Sequence, residues 1–395
     1  LCCALRLREA GREVLVVDRA DRVGGRVVTD EVDGFRIDRG FQVLLTSYPE
    51  VKARLDLDAL ELQAFRSGSA VRLRDRTCVV ADPFREPFTA LRALFSPLLS
   101  LRDAARSFWL RRRLLGSGPH RGRARDVLRD AGLRGPVLDA FFRPFFQGVT
   151  LDPDLGVPAD YFAFLFRMFA AGEATLPREG MGAIGRQLAG RLPAASLRLG
   201  VAVSAVGRDH VTLADGARLD AAAVVVATDG AAAAGLVAVP APAGHRATPC
   251  VSFAVSGAPP IAARMLLLNG TGRGATLHVC VPSVVQPSYA PAGAHLVSAT
   301  ALGAHGPQVA DDVRADLRSW FGPQVDAWDH LQTTVVARAL PALDTEEAVM
   351  HRSGAARLAS GVVVCGDHLA TPSIQGAMAA GRSAAELALA EPLSG

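Results

Sequence analysis

An α/β fold is predicted for this chain, and three stretches predict it. Val14-Leu15-Val16-Val17-Asp18 is a short, apolar, mostly β-branched run of the kind buried on both faces of a parallel sheet. Before it, Ala4 to Ala10 reads as helix, and Gly11 stands where a helix C-cap would end it. At the other end of the chain, Val362 to Cys365 is a second buried strand, followed by a turn at Gly366 and a helix starting at Ser373. Residues from Thr248 to Leu343 alternate strands with Pro/Gly loops, which adds an α+β second domain.

A helix feeding a buried strand that ends in an acidic residue is the second half of a dinucleotide-binding βαβ unit. In such a unit the carboxylate accepts hydrogen bonds from ribose hydroxyls, the role expected of Asp18. Neither a strand nor a G-x-G-x-x-G precedes Leu1, so the helix from Ala4 is the one whose N-terminus would hold a pyrophosphate. The first domain is therefore expected to be Rossmann-like.

The 395 residues suffice for two domains or one large one. Half are apolar, and the net charge of +4 is too small to imply a nucleic-acid partner. Lys52 is the only lysine, so the positive charge is almost all arginine, as a coding bias would produce. The six cysteines (Cys2, Cys3, Cys78, Cys250, Cys280, Cys365) show no C-x-x-C, and the nine histidines show no paired spacing. They read as reduced core thiols and isolated imidazoles, with no metal site. The most apolar region, Ala221 to Gly244, is interrupted by Asp229, Pro240 and Pro242 and does not read as a membrane span. A cytoplasmic protein is expected, with peripheral membrane contact left open.

After the first strand, Val27 to Asp38 alternates around Asp33-Gly34, a hairpin signal. Arg72 to Val80 is strand-like, and Thr89 to Leu115 has helical periodicity. Arg111-Arg112-Arg113 with Arg121, Arg123 and Arg125 forms a basic cluster beside Phe108 and Trp109. Two readings apply: a surface for anionic lipid headgroups, or a solvated helix face partly neutralised by Asp103, Asp126 and Asp130. Phe141 to Phe146 and Tyr161 to Phe169 hold eight of the seventeen phenylalanines, which suit core packing and, in part, an apolar cavity. Ala183 to Leu192 reads as a short helix. Leu197 to Val203 begins a meander that turns at Ala214-Asp215-Gly216 before a strand at Ala221 to Ala227. Val251–Val255, Leu277–Val281, Leu296–Thr300 and Thr333–Ala339 read as strands, and Gln308 to Trp320 as a helix.

Two motifs at opposite ends carry a family resemblance. Asp21-Arg22-Val23-Gly24-Gly25-Arg26 resembles the second cofactor motif of the flavin amine oxidase, protoporphyrinogen oxidase and phytoene desaturase superfamily. Gly361-Val-Val-Val-Cys-Gly-Asp-His368 with Ser373-Ile-Gln-Gly-Ala-Met-Ala-Ala-Gly-Arg382 resembles the segment that closes over the flavin there. Pro144-Phe-Phe-Gln-Gly-Val149 and Leu176 to Gly182 resemble the return from substrate domain to cofactor domain, with Glu179 replacing a glycine of the pattern.

The resemblance implies FAD as cofactor. It implies an FAD-binding domain from residues 1–70, 177–245 and 342–395, interleaved with a substrate domain from 71–176 and 246–341. The implied cofactor-binding residues are Asp18, Arg19, Gly24, Gly25, Arg26, Gly40, Phe41, Gln42, Val203, Gly366, Asp367, Ser373, Ile374 and Gln375. Gly40 would let the backbone pass close under the flavin ring, while Gln42 would face the ring or the substrate, or else bond local backbone. Asp367 would approach the ribityl or pyrophosphate, and His368 would touch flavin or substrate or be structural. Free N–H groups from Ser373 to Ala377 would face the flavin's pyrimidine end, with Gly376 and Gly381 permitting close packing.

Catalytic residues are not legible, because hydride transfer to a flavin needs positioning more than an acid–base pair. Superfamily amine oxidases carry a lysine near the flavin and aromatic side chains framing the amine. Here Lys52 precedes the substrate domain, and Tyr48, Tyr161 and Tyr289 all lie outside the C-terminal motif. The expectation is therefore a two-electron dehydrogenation or desaturation of a large apolar or polycyclic small molecule. The alternatives are an amine oxidase, a non-catalytic lipophile carrier with the same fold, or use of NAD(P). A Gly-rich loop ahead of Leu1 would favour the enzyme over the carrier.

Overall fold

A computed structural model describes residues 1–116, 118–239, 244–303, 306–343 and 353–390. Two of its small sheets are built on pairs of parallel strands. Val16–Val17 pairs with Leu197–Arg198, and Val225–Val226 pairs with Val363–Cys365, whose other edge takes Ala355–Arg357 in antiparallel fashion. Helices Cys2–Glu9 and Ile374–Leu389 lie beside the second pair. Gly381 lets them approach: a Cβ there would stand 3.2 Å from that of Cys2, so this glycine serves helix packing. Cys3, Val363, Cys365, Ala380 and Ala384 share one apolar cluster with Leu7, and all six cysteines are buried and free.

The first strand departs from expectation. Leu15 is 41% exposed and both strand residues are half-buried. Among the described residues Val16–Val17 pairs with Leu197–Arg198 alone, and both of its residues border a cavity. Leu197–Arg198 also belongs to this parallel pair and not to the meander, because the chain turns at Gly200, whose N–H donates to the Ala20 carbonyl. The meander is Val203–Val206, His210–Leu213 and Arg218–Asp220, so the run expected as one strand at Ala221 to Ala227 contributes only Val225–Val226.

A larger sheet holds seven strands among the described residues. In spatial order they are Asp329–Pro341, His245–Ser256, Ala294–Ala301, Thr276–Cys280, Leu266–Asn269, Gly68–Arg72 and Thr77–Ala81. Its pairings are antiparallel except Leu266–Asn269 with Gly68–Arg72. The last two strands form a hairpin where one strand was expected, since the charged residues Arg74, Asp75 and Arg76 occupy its tip and Leu73 N–H donates to Arg76 O. Helix Val309–Phe321 packs Val309, Val313 and Leu317 onto the sheet with Val251 and Phe253. The hairpin Thr29–Val32 and Phe35–Asp38 turns at Asp33-Gly34 with φ of 50° and 82°.

The single helix expected from Thr89 to Leu115 is two: Pro87–Ala93 and Leu101–Leu115. Pro97 cannot continue a helix, and Ser100 starts the second with a capping box to Asp103. The aromatic runs fall on helices Val137–Phe142, Arg143–Thr150 and Ala159–Ala171 in the largest core cluster, where the Phe146 and Phe162 rings meet at 4.5 Å. No described helix is long and apolar enough to cross a membrane.

Candidate active site

One cavity of about 2350 Å³ runs between these parts. Val16–Val17 and Val225–Val226 border part of it; the remainder is bordered by both sequence motifs and by the aromatic helices. Asp18, Arg19, Gly24, Gly25, Arg26, Gly40, Phe41, Gln42, Val203, Gly366, Asp367, Ser373 and Ile374 all contribute to its walls. Residues over three hundred positions apart are thus brought to one space.

The local geometry leaves a free hydrogen-bond acceptor at one motif and free donors at the other. Asp18 Oδ1 accepts from Ala20 N–H at 2.9 Å, and its other oxygen has no protein partner among the described residues. Gly24 has φ of 113°, and a Cβ there would stand 2.4 Å from the Val27 carbonyl, so only glycine fits this turn. Ser373 caps the C-terminal helix by accepting from Gly376 N–H at 3.0 Å. The Ile374 and Gln375 N–H groups have no acceptor among the described residues, which leaves donors and the positive helix end beside the cavity. Gly376 is required for a different reason than expected: a Cβ there would meet the Thr371 carbonyl at 1.9 Å.

The two motifs are tied by an ion pair. Arg26 Nη2 donates to Asp367 Oδ2 at 2.6 Å, and its Nη1 donates to Ala339 O at 2.6 Å. Asp367 is 5% exposed, so this guanidinium satisfies one carboxylate oxygen that sequence reasoning assigned to the ligand. Gln42 bonds local backbone: its Nε2 donates to Arg26 O and Arg39 O, both at 2.9 Å. Gln375 lies outside the cavity walls, and its Oε1 accepts from Glu50 N–H at 2.9 Å. His368 is also absent from the walls, and burial lowers its pKa. Val203 lines the cavity while pairing with Leu213.

Sequence reasoning missed three contributors. Tyr161, from the aromatic helix, donates its hydroxyl to Pro372 O at 2.7 Å and so fixes the entry to the C-terminal helix. Glu50 pairs with Arg382 at 2.8 Å. His278, 3% exposed, lines the cavity where its ring meets Phe41 edge-on at 5.1 Å. Burial without a compensating charge pushes its pKa down to about 4, so the ring is neutral near pH 7. None has a local sequence signal beyond residue type. The other end of the cavity is aromatic, walled by Phe141, Phe142, Phe145, Phe146, Phe166 and Phe169.

A family model described as flavin containing amine oxidoreductase matches residues 1–389. The chain belongs to that family. It is an FAD-dependent oxidoreductase. The walls fit the cofactor: a carboxylate with a free oxygen at one end of the motif set, and unpaired helix N–H groups at the other. When bound, the flavin supplies two-electron redox chemistry.

Solved structures share the fold. An oxidoreductase from Methanosarcina mazei is 18% identical with a TM-score of 0.75, covering 98% of this chain and 97% of its own. A protein from Exiguobacterium sp. 255-15, provisionally assigned as a protoporphyrinogen oxidase, is 14% identical with a TM-score of 0.71 over 99% and 96%. A putrescine oxidase redesigned in its cofactor binding is 15% identical with a TM-score of 0.69 over 99% and 96%. At these identities the likeness is one of fold alone. No curated protein matches the sequence.

Proposed function

We propose that this flavin oxidoreductase dehydrogenates or desaturates a large apolar or polycyclic molecule. In this reading, segments 1–70, 177–245 and 342–395 hold FAD, and 71–176 and 246–341 present the substrate. Asp18 takes the ribose hydroxyls, the Gly24-Gly25-Arg26 turn and Gly40-Phe41-Gln42 loop flank the cofactor, and the Ile374 and Gln375 N–H groups favour negative charge on the ring. Arg26 and Asp367 position these segments against each other.

The observation that carries the substrate class is the six-phenylalanine wall, which offers an apolar body dispersion and area burial with almost no hydrogen bonds to pair. The only lysine, Lys52, is exposed on helix Pro49–Arg54 and outside the cavity walls. Amine oxidation is the second reading, favoured by Tyr48 and Tyr161 in those walls. The test is anaerobic mixing of the flavin-loaded protein with carotenoid, porphyrinogen and amine candidates. Bleaching of the flavin band by a carotenoid or porphyrinogen is expected; bleaching by amines alone overturns the apolar assignment.

A further inference from the structure

We propose that the face built from Phe84 to Leu115 docks on an anionic lipid bilayer, so that the aromatic end of the cavity opens at the membrane surface. Among the described residues, eight of the ten large apolar side chains that are exposed come from this one segment. Phe88 and Phe95 are 84% and 87% exposed, and Leu101 and Trp109 stand out beside them. Single exposed apolar residues are ordinary, but such a concentration marks an interaction surface.

The helix Leu101–Leu115 shows that these residues are not failed core. Its buried stripe is satisfied by Leu110 and Leu114, while Leu101, Phe108, Trp109 and Leu115 project from the rest of its surface. Phe and Trp beside arginine are the side chains that suit a headgroup boundary, with apolar bodies and cationic neighbours.

Charge selects the occupant. Between Asp82 and Leu115 there are seven arginines and three acidic residues, so this segment carries +4, the formal net charge of the whole chain. Arg92, Arg102, Arg112 and Arg113 are exposed and have no carboxylate partner among the described residues. The acids that would neutralise the basic cluster are engaged elsewhere: Asp103 with Arg106 at 3.5 Å, and Asp126 with Arg129 at 2.9 Å. Arg123 is also drawn away, donating to Gly156 O at 2.7 Å. A second copy of the chain would set one +4 face against another, whereas an anionic bilayer complements it.

The patch is continuous with the cavity, since Phe84, Pro87, Leu91, Leu94, Phe108 and Arg111 belong to the cavity walls. Arg111 lies over the Phe84 ring at 4.5 Å and bridges to Asp82 at 3.4 Å, which fixes this rim. With no described helix able to span a bilayer, contact by this face is peripheral.

The test is flotation of the full chain with vesicles of equal parts phosphatidylcholine and phosphatidylglycerol, against pure phosphatidylcholine. Flotation with the anionic vesicles at low salt, weakened by added salt, is expected. The triple variant Phe88→Ser, Phe95→Ser, Leu101→Ser should lose partitioning by about tenfold or more. Arg112→Gln with Arg113→Gln should lose about tenfold on anionic vesicles alone. Vesicles with brominated acyl chains should quench Trp109 fluorescence, an effect absent in Trp109→Phe. These positions are exposed, and circular dichroism reports that the variants are folded. Absence of flotation at low salt overturns the proposal, as does flotation unchanged in the triple variant. A dimer that the triple variant converts to monomer, without vesicle binding by the parent, makes the face a self-association surface instead.

Discussion

The two ends of the cavity are built by opposite means. At the motif end, the walls come from turns and helix starts whose backbone geometry dictates the residue: a left-handed Gly24, a Ser373 cap, a Gly376 against a carbonyl. At the aromatic end, the walls are faces of helices Val137–Phe142, Arg143–Thr150 and Ala159–Ala171, where any ring of similar volume would fill the space. Backbone constraint therefore writes a short motif into the sequence, while packing writes only a composition. The first end can be read for its ligand; the second can be read only for its polarity.

The comparison breaks most visibly at Phe146, which borders the cavity yet is buried against Phe162. Phe146→Ala should cost about 3–5 kcal/mol, as large-to-small changes of buried aromatic residues do. Phe169→Ala, half-buried and touching Phe145 at 5.3 Å, should cost about 1 kcal/mol and act mainly on substrate affinity. Urea denaturation of the two variants checks the contrast. Equal costs would mean that the aromatic end is uniformly core.

The same distinction explains what the sequence made legible. Asp18, Gly24, Gly40, Gly366 and Ser373 could be picked out singly because each answers a local demand, and all border one cavity. The Arg26–Asp367 pair and the Tyr161–Pro372 hydrogen bond join residues hundreds of positions apart, and nothing near either partner announces the other. Gln375 shows the converse. It sits inside a recognisable motif, but the helix turns its side chain toward Glu50. The split of Thr89 to Leu115 followed from Pro97, a visible signal overridden by the periodicity around it. Leu197–Arg198 was misassigned because a two-residue strand carries no period of its own.

Where the two ends meet, His278 gives a pH-dependent effect of intermediate size. Its folded pKa is about 4, below the ordinary imidazole value of about 6.5. The unfolded chain therefore binds the proton first, and stability present above about pH 6.5 is lost as pH falls toward about 4. Relative to His278→Gln, the parent should lose up to about 3 kcal/mol over that window. Asp38 works in the opposite sense. Burial pushes its carboxyl up to about 6, so its contribution is present below the unfolded value of about 3.9 and declines as pH rises through about 6. Chemical denaturation of parent and His278→Gln across pH isolates the histidine, and a pH-independent difference would refute this assignment.

Among changes that disturb a buried group, the smallest expected effect concerns the tie within the motif end. Arg26→Ala leaves the buried Asp367 carboxylate without its guanidinium and should cost about 2 kcal/mol, less than a fully buried pair because Arg26 is partly solvated. Adding Asp367→Asn removes the stranded charge, so the double variant should be more stable than Arg26→Ala alone. FAD retention on dialysis should fall in both, since the geometry that sets Gly24-Gly25 against Gly366 is lost either way. If Arg26→Ala costs nothing and the double variant restores nothing, the two motifs are held together by the strands and helices that carry them. In that case backbone constraint alone, without a long-range ion pair, would build this end of the cavity, and its difference from the aromatic end would be sharper still.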